Sequence, residues 1–379
     1  MLALHTGTET ASRKWHGLGK AIEATTIQEV LEQGGLNWNV SKRALATLKA
    51  VPPFKEIGNP DLLTPDGTEH MGILRHHLKK FVDNPQDVET LDFLKEYLEV
   101  TEDTFLPHTN EFSIVRDDTN IPFAVMGRIY ECLNNNECIA LIEPLMEAGE
   151  VVVERAGYFN DGANCWLLAR FPEVTNIKGE IIDQYMKLSW SHDGSQKLSA
   201  SFIAYLRRNN TQICPSVPGS QQSIEIRHTT NAKKRMEIAT NLLRKGASYF
   251  NALEDQLIYL MGIPLTDTDM EEQLQVLVPD SKIAKEKGHN SKALIKRCEI
   301  IDIFDQSKSN LIPTMYSGFS AVSQWCDYKK PASIRKSKSE NCTDEEIETM
   351  RIEARCQNTW NKNGSGRKMK EDFWKMLIK

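Results

Sequence analysis

Between Phe112 and Leu206 the chain repeats one pattern, a run rich in β-branched and aromatic residues followed by a tight-turn signal. Phe112 to Val115 precedes the turn Asp117-Asp118-Thr119-Asn120 and a returning run from Phe123 to Cys132. Val151 to Tyr158 turns at Asn160-Asp161-Gly162 into Cys165 to Phe171, and Asp183 to Ser191 turns at Asp193-Gly194 into Leu198 to Leu206. Asp-Gly between such runs marks a hairpin, because glycine accepts the positive φ that a tight turn imposes. One helix interrupts the series. Ile139, Ile142, Leu145 and Met146 fall at three- and four-residue spacings, which predicts a helix over 135–148 with Gly149 as its stop.

From Asn231 onward the period changes. Met236, Ala239, Leu243, Gly246, Phe250, Leu253, Leu257 and Leu260 alternate spacings of three and four, giving one apolar seam along about 36 Å of helix. Such a seam serves either to lie across the sheet or to contact another subunit. Before the hairpins, Thr26-Ile27-Gln28-Glu29 forms a capping box for a helix that stops at Gly34-Gly35. Asn37 to Val40 predicts a short strand, 52–70 a loop and 89–99 a helix. After the seam, Thr268-Asp269-Met270-Glu271 predicts a second capped helix over 269–277, and a Lys-rich segment at 282–297 leads into a helix through Ile303. The tail alternates aromatic elements (Tyr316, Phe319, Trp325, Trp360) with basic ones (Lys329-Lys330, Arg335-Lys336, Arg367-Lys368), with a loop over 329–345. The expected fold is α+β. An antiparallel sheet of hairpins, with a helix inserted after the first, packs against a long helix from the C-terminal half. Three regions follow: a mixed lead-in over 1–110, the α+β core over 111–265, and a helical, basic region over 266–379.

The 379 residues suffice for one large or two ordinary domains. No apolar run approaches the ~20 residues of a membrane span, and Met1-Leu2-Ala3-Leu4-His5 lacks a signal-peptide pattern. Eight cysteines without a Cys-x-x-Cys pair argue against a zinc site or a disulfide scaffold and suit reduced thiols in a cytoplasm. A net charge of −6 argues against coating DNA by bulk charge. The charge is uneven, however: acidic residues crowd 82–104, whereas Lys and Arg cluster at 227–245, 329–338 and 362–370. A local basic stripe can still attract phosphate.

Ser191, His192 and Asp193 stand together, yet adjacency counts against a triad. A nucleophile, its base and the orienting carboxylate must point at one another, whereas neighbours on a strand face opposite ways. His192 therefore reads as a structural hydrogen-bonder near the sheet rim or as a contact to a ligand phosphate or base. Asp117, Asp118, Asp161, Asp183 and Asp193 are candidates for a nuclease metal, but four of them fall at turns, where Asp serves the backbone. Phosphate-loop and dinucleotide motifs are missing. No catalytic residue, metal ligand or cofactor is assigned. Nucleic-acid binding draws more support. Arg207, Arg208 and Asn210 close a strand with phosphate-binding groups. Arg227 and His228 precede a helix N-terminus, and Lys233, Lys234 and Arg235 lie in its first turns. Trp190 or Tyr205 would stack on unpaired bases.

Several short motifs stand in a specific order: Trp15-His16-Gly17-Leu18-Gly19, Val115-Arg116-Asp117-Asp118, Ala156-Gly157, Ser191-His192-Asp193-Gly194-Ser195, Asn210-Thr211, Arg227-His228-Thr229, Gly318-Phe319-Ser320-Ala321-Val322 and Trp360-x-x-x-Gly364. In this order they resemble a family of phage- and plasmid-encoded proteins of unknown function, over nearly the whole chain. The chain departs from that pattern at Arg207-Arg208, where an apolar pair and a cysteine are expected. The order of strands and helices is also similar to the core of phage single-strand annealing proteins, the RecT and Redβ class. These resemblances imply a phage or mobile-element protein in the cytoplasm of a bacterial host. It would bind single-stranded DNA, assist annealing, recombination or replication without catalysis, and form homo-oligomers. An interaction protein that blocks a host enzyme or defence system through the acidic 82–104 surface is the second expectation. A metal-dependent nuclease or hydrolase is the third.

Overall fold

The computed structural model describes residues 18–48, 105–213, 222–227, 246–281, 292–307, 313–334, 342–361 and 363–379. Trp15, His16 and Gly17, the expected loop at 52–70, the acidic stretch 82–104 and the expected helix at 89–99 lie outside these residues. So do His228, Lys233, Lys234, Arg235 and the first half of the predicted seam. The chain divides into two compact units. One gathers Met1–Ser41, Arg116–Ala124 and Ile129–Lys379, and the other Lys42–Val115 and Val125–Arg128.

Most of the described backbone of the second unit belongs to a three-stranded sheet in the order β2-β3-β4. Its strands are β2 (Val40–Leu48), β3 (Phe105–Arg116) and β4 (Pro122–Gly127). The expected strand from Asn37 thus begins only at Val40, and the returning strand ends at Gly127 instead of reaching Cys132.

The first unit is built on a seven-stranded sheet. Its strands are β1 (Lys20–Ala24), β5 (Val152–Phe159), β6 (Asn164–Ile177), β7 (Glu180–Ser191), β8 (Leu198–Leu206), β9 (Thr211–Ile213) and β10 (Ser223–Ile226). They run in the order β1-β5-β6-β7-β8-β10, with β9 also on β8, and every pairing is antiparallel. The far edge of β8 is shared: Leu198 to Ser201 pair with β10, and Ala204 to Leu206 pair with β9. The fold is α+β, as the hairpin pattern predicts. One hairpin was hidden in the sequence. Strands β6 and β7 join through Lys178-Gly179, both at positive φ (50° and 91°), the turn geometry that suits the twist of the flanking strands. Lys-Gly is a weaker signal than Asp-Gly, so this joint escapes pattern reading.

Helix α1 (Ile27–Gly34) has the expected capping box, with Thr26 accepting from the Glu29 amide and Gly35 ending the helix at φ 73°. The helix expected over 135–148 is two short ones, α2 (Asn135–Ile139) and α3 (Glu143–Glu147). Pro144 stands in the first turn of α3; lacking an N–H, it cannot continue the bonding ladder of α2. The described part of the seam helix is α4 (Gly246–Gly262). Helix α5 (Asp267–Leu277) starts two residues earlier than expected, because Thr266 and not Thr268 caps it through the Asp269 amide. The remaining α-helices among the described residues are α6 (Lys292–Ser307), α7 (Met315–Gln324), α8 (Asp344–Trp360) and α9 (Ser365–Leu377), with a π-helical turn, Trp325–Lys329, extending α7.

Helices cover the central strands on both faces. On one face Phe202 meets Tyr249 and Phe250 of α4, with ring centroids 6.0 and 5.9 Å apart. Phe250, Leu253, Leu257 and Leu260 are buried there, so the described half of the seam lies across the sheet. On the other face Trp166, Leu168, Tyr185, Ile203 and Tyr205 pack with Cys356 and Trp360 of α8. Covering both faces explains why β7 and β8 read as near-continuous buried runs.

One buried ion pair ties the C-terminal helices to the sheet. Lys370 of α9 donates to Asp327 Oδ1 at 2.7 Å and to the Gln212 carbonyl at 2.8 Å. The Gln212 amide in turn donates to Asp327 Oδ2 at 3.1 Å. Replacing Asp327 with Ala would leave a buried ammonium without its counter-charge and should cost about 3–5 kcal/mol by chemical denaturation. The described cysteines are all free. Burial pushes the Cys138 and Cys165 thiols up, and Cys326 up to about 12, whereas Cys298 is exposed. Alkylation of the native protein followed by mass spectrometry should therefore label Cys298 and spare Cys138, Cys165, Cys326 and Cys356 until unfolding.

Candidate functional site: a polar cleft on the β7–β8 hairpin

Strand β7 alternates two chemistries. Met186, Leu188 and Trp190 face the α4 side, while Lys187 and Ser189 share the α8 side with Tyr185. The register extends this polar file across the sheet. Lys187 stands opposite Ser201, which stands opposite Ser223; one row further, Trp166, Ser189, Ser199 and Glu225 stand side by side. Residues directly opposite on neighbouring strands lie within about 5.5 Å at Cβ, so these side chains form one surface.

Where α8 ends at Trp360, this surface is no longer covered, and a cleft of about 670 Å³ opens. Lys187, Ser189, Ser199, Ser201 and Ser223 form its floor. Asn164, Gln196, Gln222 and Asn361 stand around it, with Lys197 and Arg367 beside Asp193 and Glu225. Lys187 is 5% exposed, with its Nζ 3.3 Å from the Trp360 carbonyl and 5.2 Å from the Trp360 ring centre. Lys197 pairs with Glu225. Arg367 binds Glu371 at 2.8 Å and Gln222 at 3.1 Å. The lining is rich in hydroxyl, amide and cationic donors, which suits an anionic or multiply hydroxylated ligand. Among the described residues, no group of three His, Cys, Asp or Glu side chains is placed to hold a metal ion.

The Ser-His-Asp run meets this cleft only through Asp193 and does not become a triad. Ser191 Oγ donates to the Gln196 carbonyl and accepts from the Gln196 amide, each at 2.9 Å. Asp193 accepts from the Ser195 amide at 2.9 Å, closing the turn with Gly194 at φ 71°. His192 is buried, its Nε2 2.9 Å from Asn135 Oδ1 and its ring between Trp38 and Phe123. Asn135 also accepts from Trp190 Nε1 at 3.0 Å and donates to the Leu36 and Trp38 carbonyls. His192 is thus the structural hydrogen-bonder of the two roles open to it. Ser195 Oγ reaches Asn164 at 3.0 Å and orders the cleft wall.

The predicted binding residues do not gather. Trp190 and Tyr205 are buried at 0% and 3% exposure, with no ring face left for a base. Arg207 is paired to Asp183, and the hydrogen bond between them raises its pKa. Arg208 bonds Glu180 at 2.9 Å beside a separate cavity of about 640 Å³ that includes Met261, Ile303 and Tyr316. Asn210 adopts φ 53°, its carbonyl accepting from the Tyr328 hydroxyl at 2.8 Å. Arg227 is exposed and follows β10, whose Ile226 pairs with Leu198. Arg207 follows Leu206, so the two arginines stand just beyond opposite ends of β8, which spans about 27 Å. They cannot share a phosphate-sized site. Sequence reasoning missed Lys187, Ser189, Ser199 and Ser201. Their signal was a polar residue at every second position of two adjacent strands.

Residues 122–362, more than half of the chain, match the family described as a domain of unknown function, DUF932. The chain belongs to this family. No curated protein and no solved structure matches the chain. The DUF932 match takes in β4 to β10, α8 and every floor residue of the cleft. Among the described residues, no helix is long and apolar enough to cross a membrane.

Asn135 is the acceptor shared by His192 and Trp190, so Asn135→Ala should destabilise the fold by about 2–4 kcal/mol in urea denaturation. Ser191→Ala and Asp193→Asn, confined to the turn, should each cost less than about 1.5 kcal/mol.

Proposed function

We propose that the protein binds single-stranded DNA, with the sugar-phosphate backbone entering the polar cleft at the open end of the β7–β8 hairpin. The observation that carries this reading is the cleft floor, where a buried ammonium, Lys187, stands among the hydroxyls of Ser189, Ser199 and Ser201. Phosphate contacts in nucleic-acid complexes come from such lysines, arginines, hydroxyls and amides. About 670 Å³ admits a short piece of one strand but not a duplex. Arg227, exposed near the same end of β8, extends the cationic rim. The role is non-catalytic and fits assistance to annealing, recombination or replication in a phage or mobile element, with homo-oligomers along the strand.

Fluorescence anisotropy with a labelled oligo-dT at about 50 mM salt tests this. Binding should weaken steeply as salt rises, with Lys197→Ala and Arg367→Ala each weakening it and lowering the salt slope by about one. Arg207→Ala and Arg208→Ala, at the far end of β8, should leave affinity within about twofold. Absence of binding by the unmodified protein at low salt would end the proposal.

A second reading, binding of a host protein, is favoured by exposed apolar side chains on neighbouring helices: Tyr259 of α4, Val276 of α5 and Ile295 of α6. One stoichiometric partner recovered from host lysate after nuclease treatment, and lost on Tyr259→Ser with Ile295→Ser, would favour it over DNA.

A further inference from the structure

Behind the cleft lies a smaller recess. Its volume is about 10 Å³, and Lys187, Ser189, Gln196, Trp360 and Asn361 line both spaces, so the recess is the inner end of the cleft. Trp166 lines only the recess. It is 1% exposed, and its Nε1–H has no hydrogen-bond acceptor among the described residues. A buried donor left without an acceptor is rare and costly, and it calls for a bound oxygen, from water or from a ligand.

The indole cannot turn away to find another partner. Trp360 packs edge-on against it with centroids 4.8 Å apart. Gly19 and Gly157 press on its six-membered ring beside the carbon that bears Nε1, where a Cβ on Gly19 would lie 2.7 Å from the ring and one on Gly157 3.2 Å. The donor is therefore fixed in place, in the row next to Lys187.

From this geometry we infer that the recess is a subsite for one non-bridging oxygen of a phosphate, held by Trp166 Nε1–H and the Lys187 ammonium. Its volume matches about one oxygen atom, so the phosphorus and the remaining oxygens stay in the cleft among the serine hydroxyls. Both named groups only donate, and an anionic oxygen only accepts, which matches them more fully than a neutral ligand would. The inference rests on the phosphate-binding reading of the cleft and deepens it by naming the atoms that read the phosphate. The phosphate can belong to a DNA strand or to a free nucleotide.

Trp166→Phe keeps an aromatic ring, though a smaller one, and removes the donor. It should weaken oligo-dT binding roughly tenfold or more, with an unchanged salt slope because the lost donor is neutral. Lys187→Met should lower the slope by about one as well. With the unmodified protein, an oligo-dT carrying methylphosphonate in place of phosphate should bind more weakly than the plain strand binds Trp166→Phe, because it loses the charge that Lys187 meets as well as an oxygen, so the test survives a variant that fails to fold. Thymidine monophosphate, followed by thermal shift, separates the sources. Stabilisation of the unmodified protein but not of Trp166→Phe would uphold the subsite for a free nucleotide even if no strand binds. Equal binding of plain strand by Trp166→Phe and the unmodified protein would overturn the subsite while leaving DNA binding intact. A crystal structure with oligo-dT in the cleft and an ordered water alone on Trp166 Nε1 would overturn it too.

Discussion

Burial of the β7–β8 hairpin on both faces is the constraint from which the first unit follows. An antiparallel sheet ordinarily keeps one face wet and alternates apolar with polar residues. Here α4 takes one face and α8 most of the other. The α4 side is apolar from Met186 to Trp190, and full burial of each large side chain there contributes about 1.5–3 kcal/mol. On the α8 side the strand carries Asp183, Lys187 and Ser189, groups that are costly to bury without partners. Arg207 answers Asp183, and the end of α8 answers Lys187 through its last carbonyl. Beyond that carbonyl no helix continues, and the polar file emerges as the cleft.

A second constraint is the contact among Gly19, Gly157 and Trp166. It explains the glycines at Gly19 and Gly157 without invoking chemistry at either one. Gly19 comes so close to Ala156 that a Cβ would stand 2.5 Å from its carbonyl oxygen, and Gly157 lies against Gly19 itself. Buried Arg155 closes the joint by donating to the Leu18 and Gly19 carbonyls. Gly364 plays a similar part after Trp360, since a Cβ there would meet the Asn358 carbonyl oxygen at 1.9 Å. These glycines allow backbones to touch, and the tryptophans inherit fixed positions.

Much of this fold is legible in the residues. Asp193-Gly194 and Asn160-Asp161-Gly162 announce their turns, and Thr26 with Glu29 announces a helix, because each acts within four residues. The site is less legible for the opposite reason. Lys187, Ser201 and Ser223 meet only through strand register, and Trp360 arrives from 173 residues beyond Lys187. Arg207 and Arg227 both looked like phosphate contacts, but β8 and β10 run antiparallel and send them to opposite ends. Trp190 looked like a stacking platform, and its indole N–H instead serves Asn135. Local patterns reveal local bonds; a surface assembled from four strands and a helix end has no local pattern.

The bond from Lys187 to the Trp360 carbonyl also sets an order in time. Strands β5 to β8 join through short turns, so their contacts are local and can form early. Lys187 stays in water until α8 docks, a closure over a long loop that comes late on entropic grounds. The hairpin can therefore exist without its cleft. Mutations that loosen α8 or α9 would leave a folded sheet whose central lysine is hydrated and mobile, a molecule with native strands and no site.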